Sequence, residues 1–294
     1  MAFPTTSPPT FSAPWQVSLQ NAANPSGLLL GQGTPYAIYD IEGAGSPTVE
    51  TGDISRPRDQ GLQIGNDYLA GRDLVITGDI ISDGTSLQHA VAQLAIVTTT
   101  TYGYASTEYP MWINVPNLYA PGTSLAVASM VRPRKRDLPF DLGFSINEVA
   151  QFTLQMSATD PRFYSSVSNA TTAASGSTVS ALVSLTNIGN YETRPIYTVA
   201  GPIASGWTLV SSNGGSLTVN LALTSGQSVV IDTDQKTVVF NNGSTLSNAR
   251  SYLGTSPTWW NCPGTATTTA TLSGTGGSSG VTSLNAQYCS AWIF

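Results

Sequence analysis

Residues 185–202 read LTNIGNYETRPIYTVAGP. Two apolar, β-branched runs are broken by Asn187 and Gly189 and reopened by Pro195, and Gly201 closes the second run. A proline at the first position of a strand removes no ladder hydrogen bond, so Pro195 is compatible with a strand starting beside it. Gly189 suits a tight turn between the two runs. The stretch therefore reads as strand, turn, strand.

The same rhythm runs outward in both directions. Downstream, GWTLVSS, GSLTVNLALT, QSVVIDTD, KTVVFNN, ATTTATLSG and SLNAQYCSAWIF are short runs separated every 8 to 12 residues by turn residues. That spacing suits a β-sandwich in which each strand buries one face. In GSLTVNLALT, Leu217, Val219, Leu221 and Leu223 alternate with polar or small residues, which turns them inward. DTDQK at 232–236 lies between two apolar runs and reads as a hairpin turn.

Upstream, LLL, YAIYDI and DLVITGDII alternate with turns such as EGAGSP and SRPRDQG, and MWINVP, SLAVASMVRP and EVAQFTLQMSA return to strand rhythm. Between them Leu87, Ala90, Val91 and Leu94 fall at helical spacing, with Thr85 at the N-cap and Gln88 three places on, as in a capping box. One helix packed on a sheet is expected. DPRFY at 160–164 ends the first half, and SSVSNATTAASGSTVS, poor in large apolar residues, reads as a connection. The boundary is placed between a first domain, 1–165, and a second, 166–294. The fold class is mainly β: a sandwich or barrel-like first domain with one helix, then a β-sandwich.

Composition limits the function. Charged residues are 10% of the 294, and the net charge is −6. Residues 1–162 hold 8 Lys and Arg against 14 Asp and Glu, whereas 163–294 hold 3 against 3. An acidic chain argues against general affinity for nucleic-acid phosphates. No stretch approaches the roughly 20 apolar residues of a membrane span, and the N-terminus lacks the charged and apolar regions of a signal peptide. Synthesis in the cytoplasm and a soluble product are expected.

Reactive constellations are sparse. Asp40 with Glu42 and Asp232 with Asp234 are the candidate carboxylate pairs, but each sits on a strand or in a turn and neither faces the other across a cleft, as glycoside hydrolysis requires. His89 stands alone on the helix, no G-x-S-x-G elbow is present, and GTGGSSG lacks the ending of a phosphate loop. Cys262 and Cys289 read as two buried free thiols or as a disulfide between adjacent strands; zinc needs four ligands. No catalytic residue, metal ligand or cofactor is assigned.

Two surface candidates remain. Arg132, Arg134, Lys135 and Arg136 concentrate positive charge, as a solvated loop, a contact with another subunit or, less in keeping with the acidic surroundings, a nucleic-acid patch. Trp259 and Trp260 cannot both point inward from a strand, so one of them is a candidate contact for a glycan or protein partner.

The opening stretch also resembles the start of the C-terminal domain of distal tail proteins of long-tailed phages: a strand ending in N-x-G, a short turn, then P-x-(I/Y)-x-(I/V)-x-G. QSVVID, KTVVF and WWNCPG follow in the family's order, although the usual Asn after Pro-Gly is missing and TATTTATLSG is less apolar than expected. RPRDQGLQIGNDYLAGRDLVITGDI, the helix and DPRFY are similar to the N-terminal pattern. The resemblance implies a non-enzymatic hub at the virion tail tip. Its first domain would form a homo-hexameric ring under the tail tube protein, and its second, a galectin-like sandwich, would face tail-associated or receptor-binding proteins. DNA would pass the acidic channel without sticking. The alternative is a carbohydrate-binding module recognising host cell-wall glycans.

Overall fold

The computed structural model describes residues 3–4, 6–57, 60–81, 86–99, 107–116, 123–138, 149–174, 178–277 and 281–294. The chain divides into two compact units, one of Val167–Trp292 and one of Ala2–Ser166 with Ile293–Phe294.

In the N-terminal unit the strands are β1 (Val17–Leu19), β2 (Leu28–Leu30), β3 (Tyr36–Glu42), β4 (Arg72–Ile81), β5 (Tyr109–Pro116), β6 (Ser124–Asp137) and β7 (Val149–Ala158), with helix α1 (Leu87–Val97) after β4. They run β2-β1-β5-β6-β7-β4-β3 across the sheet. At its two ends β2 and β3 approach again, the Gly31 N–H donating to the Tyr36 carbonyl at 2.7 Å, so the sheet curls towards a barrel. Long β6 makes the corner: Ser124–Val131 pairs with β5, and Arg132–Asp137 passes to β7 through a bulge between Pro133 and Lys135. Strict alternation in β4 and β7 buries Leu74, Ile76 and Ile80 against Phe152, Leu154 and Met156.

Helix α1 buries Ala90, Leu94 and Val97. Its N-cap is Ser86, whose hydroxyl accepts from His89 N, one residue beyond the expected Thr85, which lies outside the described residues. A single-residue offset is common at a helix start, and Ser caps somewhat better than Thr. The last-turn carbonyls are satisfied by a loop side chain and a strand side chain. Asn21 Nδ2 donates to Ile96 and Val97 O at 3.0 Å each, and Arg136 Nη1 donates to Ala95 O at 2.7 Å.

Between β3 and β4 the chain forms a ribbon. Val49–Glu50 pairs with Tyr68–Leu69, and Ile54–Ser55 pairs with Leu62–Gln63. At the twist between the two ladders Gly65 lies against Gly52, closely enough that a Cβ on Gly65 would collide with the Gly52 backbone.

The C-terminal unit is a sandwich. Its strands are β8 (Ser168–Ala173), β9 (Thr178–Asn187), β10 (Ile196–Ala200), β11 (Trp207–Ser211), β12 (Ser216–Val219), β13 (Ser228–Asp232), β14 (Thr237–Asn241), β15 (Leu246–Asn248), β16 (Ala266–Thr275) and β17 (Ser283–Tyr288). A six-stranded sheet runs β8-β17-β10-β13-β14-β15 and a four-stranded sheet runs β9-β16-β11-β12. Leu217, Val219 and Leu223 are buried between them as their alternation requires, with Trp207, Leu209, Val229 and Ile231. The stretch read as a connection is partly structure: Ser168–Ala173 is a full edge strand paired to β17. Its Ser, Thr and Ala side chains are largely exposed, so the strand carries no apolar signature of its own.

Candidate functional site

Asn187, in the opening stretch, is the residue on which the C-terminal unit converges. It ends β9, is 1% exposed, and its side chain joins three separate segments. Nδ2 donates to the carbonyls of Tyr191 (2.7 Å), Pro263 (3.1 Å) and Cys262 (3.3 Å), while Oδ1 accepts from Gly189 N (3.0 Å) and Ala291 N (3.2 Å). Gly189 is required by close approach: a Cβ there would collide with the Ala291 carbonyl. The N-x-G signal is thus a packing motif that ties the turn to the 262–263 segment and to the backbone at Ala291. It leaves no open atom for a ligand.

Of the tryptophan pair, Trp260 is the buried member. Its Nε1 donates to Tyr197 Oη at 3.0 Å, the two rings sit 5.5 Å apart, and its indole lies on Gly215, where a Cβ would meet it. The segment is irregular, held by Ser216 to Thr258 and Thr193 to Cys262 bridges, and it turns Trp260 inward while Trp259 stays half-buried at the edge of the core. Burial and the missing solvent shell push the Tyr197 hydroxyl upward.

The basic cluster lies on a strand, where a solvated loop was one of the readings. Arg132 and Arg136 belong to the β6–β7 ladder, and Arg134 occupies the bulge. Arg136 is used by the helix end and Arg132 is half-buried. Arg134 and Lys135 are exposed, and among the described residues neither has an ion-pair partner.

The carboxylate candidates do not converge. Asp40 lies on exposed β3, and Asp232 Oδ1 accepts from Asp234 N and Gln235 N as a turn residue, while Asp234 and Glu192 flank Arg194 at 2.9 and 3.0 Å. His89 is exposed on α1. Cys262 and Cys289 are free and buried, which settles the thiol against the disulfide reading; burial raises both, Cys289 to about 12. Among the described residues no group of His, Cys, Asp and Glu could hold a metal ion, and no helix is long and apolar enough to cross a membrane.

One feature escaped the sequence. In the N-terminal unit a groove of about 710 Å3 opens between β3 and β5, lined mainly by apolar side chains including Trp15, Ile38, Tyr39, Ile113, Val127 and Phe294. Trp15, 56% exposed on its rim, has φ +60°, a left-handed conformation that costs a non-glycine residue about 1–3 kcal/mol. Buried neighbours impose it. Trp15 N–H donates to Asn114 O at 2.6 Å, Asn114 Nδ2 donates to Ala13 O at 2.7 Å, and Gln16 Oε1 accepts from Ser12 and Ala13 N.

Residues 188–292 match the profile of the siphovirus-type tail component, C-terminal domain. Among solved structures, the Dit protein (gp 19.1) of phage SPP1, described as a paradigm of the hub adsorption apparatus in phages infecting Gram-positive hosts, aligns over 88% of this chain and 94% of its own at 15% identity with a TM-score of 0.55. A chain of the phage P2 baseplate in its activated conformation with Ca aligns over 93% of this chain and 97% of its own at 7% identity with a TM-score of 0.46. No curated protein sequence matches.

Proposed function

We propose that this chain is a siphophage distal tail protein and the hub of the tail tip, a reading supported by the match of residues 188–292 to the siphovirus-type tail component, C-terminal domain. It serves as a structural component of the virion tail, as the tail-component model matched by its C-terminal unit supports. Six copies close into a ring through their N-terminal units. The ring joins the tail tube protein on one side to the tail-associated or receptor-binding proteins on the other, and it is made in the host cytoplasm before assembly into the virion.

The observation that carries this reading is the pairing of a family-specific C-terminal sandwich with a fold shared along 88% of the chain with a tail hub. Among the described residues, carboxylates, thiols and histidine serve turns, core and surface without converging on a common point. Exposed Arg134 and Lys135 at the end of β6 are assigned to a subunit contact, where Arg and Lys find carboxylates of a neighbour. The excess of 14 acids over 8 bases in residues 1–162 suits a passage through which DNA slides, because like charges disfavour phosphate contact. The glycan reading is left with half-buried Trp259 alone, since the ring and Nε1 of Trp260 are already engaged by Gly215 and Tyr197.

Negative-stain microscopy of the purified chain tests the proposal. Annular particles with six-fold symmetry and an open centre are expected. Uniform single copies at every concentration, with or without a tail tube protein added, would count against it.

A further inference from the structure

Both aromatic residues on the rim of the N-terminal groove are placed there by departures from regular backbone. Trp15 is held at φ +60° and stays 56% exposed. Tyr39 is the extra residue of a β-bulge: Ile38 pairs with Gly78 and Asp40 with Thr77, which leaves Tyr39 without a partner on β4. Consecutive side chains of a regular strand face opposite ways, whereas Tyr39 and Asp40 both line this groove. The Tyr39 hydroxyl donates to Asp79 Oδ2, so the ring is anchored although it is 61% exposed. Left-handed residues and bulges cluster at ligand sites, where they re-aim side chains. Here one of each borders a single cavity.

The lining sets the chemistry that fits. The volume of about 710 Å3 lies within the roughly 300–1,000 Å3 of small-molecule clefts, and Ile113, Val127 and Phe163 make much of the wall apolar. Among the described lining residues Asp40 is the one acidic side chain, Gln32 the one amide, and none is basic. Asp40 is exposed, and among the described residues no cation pairs with it. A carboxylate beside exposed aromatic rings attracts a cation, because the face of each ring is electronegative. The scarcity of acceptors selects the kind of cation. A primary ammonium or a guanidinium carries several N–H donors, and most of them would be left unsatisfied in an apolar groove. A quaternary ammonium has none. Its methyl groups pack on aromatic and aliphatic walls while a carboxylate balances the charge. A sugar ring would bring several hydroxyls to a wall with few polar partners.

We propose that this groove is a binding site for a small quaternary ammonium group, with Trp15 and Tyr39 against the cation and Asp40 balancing its charge. The site is complete within one N-terminal unit, so it requires neither a second copy nor the ring. The group can arrive as a free solute or as a lipid headgroup, since the chemistry that recognises it is the same.

Isothermal titration calorimetry of the full chain tests this with choline, its neutral isostere 3,3-dimethyl-1-butanol, methylammonium and methyl glucoside. Choline is expected to bind at least about tenfold more tightly than the isostere or methylammonium, and less tightly as salt is raised. W15G and D40N should each weaken choline binding at least about fivefold. Both variants should unfold within a few degrees of the parent, because glycine takes a positive φ freely and asparagine keeps the size of aspartate. Phosphatidylcholine vesicles that carry down the parent but not W15G assign the cation to a headgroup, and vesicles that leave it in solution while choline binds assign it to a solute; either result upholds the site. Equal binding of choline and its isostere, choline binding unchanged in both variants, or no choline binding at millimolar concentration overturns the proposal. Methyl glucoside bound in place of choline, and lost in W15G, makes the groove a sugar site and overturns it as well. The ring reading stands in each of these cases.

Discussion

Replacing Asn187 by alanine removes five hydrogen bonds at a site 1% exposed. The carbonyls lose least, because Cys262 O still accepts from Thr193 N at 2.9 Å. The buried N–H groups of Gly189 and Ala291 are left without an acceptor, and each such loss costs about 1–3 kcal/mol. The expected destabilisation of the C-terminal unit is about 3–5 kcal/mol, a large part of the roughly 5–15 kcal/mol that holds a domain folded. Both cysteines lie in that unit and both are buried, so thiol labelling in urea reports on its unfolding alone. With a urea dependence of about 1–3 kcal/mol per molar, the labelling midpoint should fall by about 2 M. N187D keeps the Oδ1 acceptor but turns a carboxylate oxygen towards three carbonyls. It should be at least as unstable as N187A near neutral pH and partly recover in acid, when a protonated carboxyl can donate. An N187A midpoint equal to the parent's would refute the claim that this side chain ties the unit together.

Further outcomes follow from packing and burial. W260A should cost about 3–5 kcal/mol by the same labelling assay, the range for emptying a buried aromatic site, and W259A a clearly smaller amount; equal losses would contradict the assignment of Trp260 to the core. Arg72, buried in the N-terminal unit, donates to the carbonyls of Gly43 (2.8 Å), Gly45 and Pro161 (3.0 Å) with its guanidinium 4.7 Å from the Phe163 ring centroid, and R72M should lower that unit's melting temperature by several degrees, measured by calorimetry, because the carbonyls lose their donor. Cys289 is held protonated to about pH 12 in the folded unit, whereas an exposed thiol ionises near 8.5–9, so the unfolded chain loses its proton first as pH rises. Stability of the C-terminal unit should therefore be flat below about pH 8 and fall above pH 9 by about 1.4 kcal/mol per pH unit from this thiol, a slope that C289A should remove.

Much of the fold was legible because burial on one face leaves a period-two trace. The alternation of Leu217, Val219 and Leu223 and the runs of β4 and β7 identify strands directly, and the quoted N-x-G and Pro195 signals mark the turn that Asn187 organises. Strand Ser168–Ala173 was not legible, because an edge strand with both faces largely in water has no apolar period and its partner lies more than a hundred residues away at β17. The basic run at Arg132–Arg136 looked like a loop for a similar reason: a strand extending past the core keeps its backbone ladder while its side chains turn polar. Which of Trp259 and Trp260 points inward was not legible, because their segment is irregular and a two-residue alternation assigns no face there. The groove rim at Trp15 left no signal, since its left-handed backbone is imposed by Asn114 and Gln16, residues distant in sequence or ordinary in type.

The central claim is that this molecule works by associating with copies of itself. Light scattering coupled to size-exclusion chromatography, run across a dilution series, measures this most directly. A dominant species at six times 30.7 kDa is the predicted result. A species at 30.7 kDa over the whole series, unchanged when a tail tube protein is present, would contradict it.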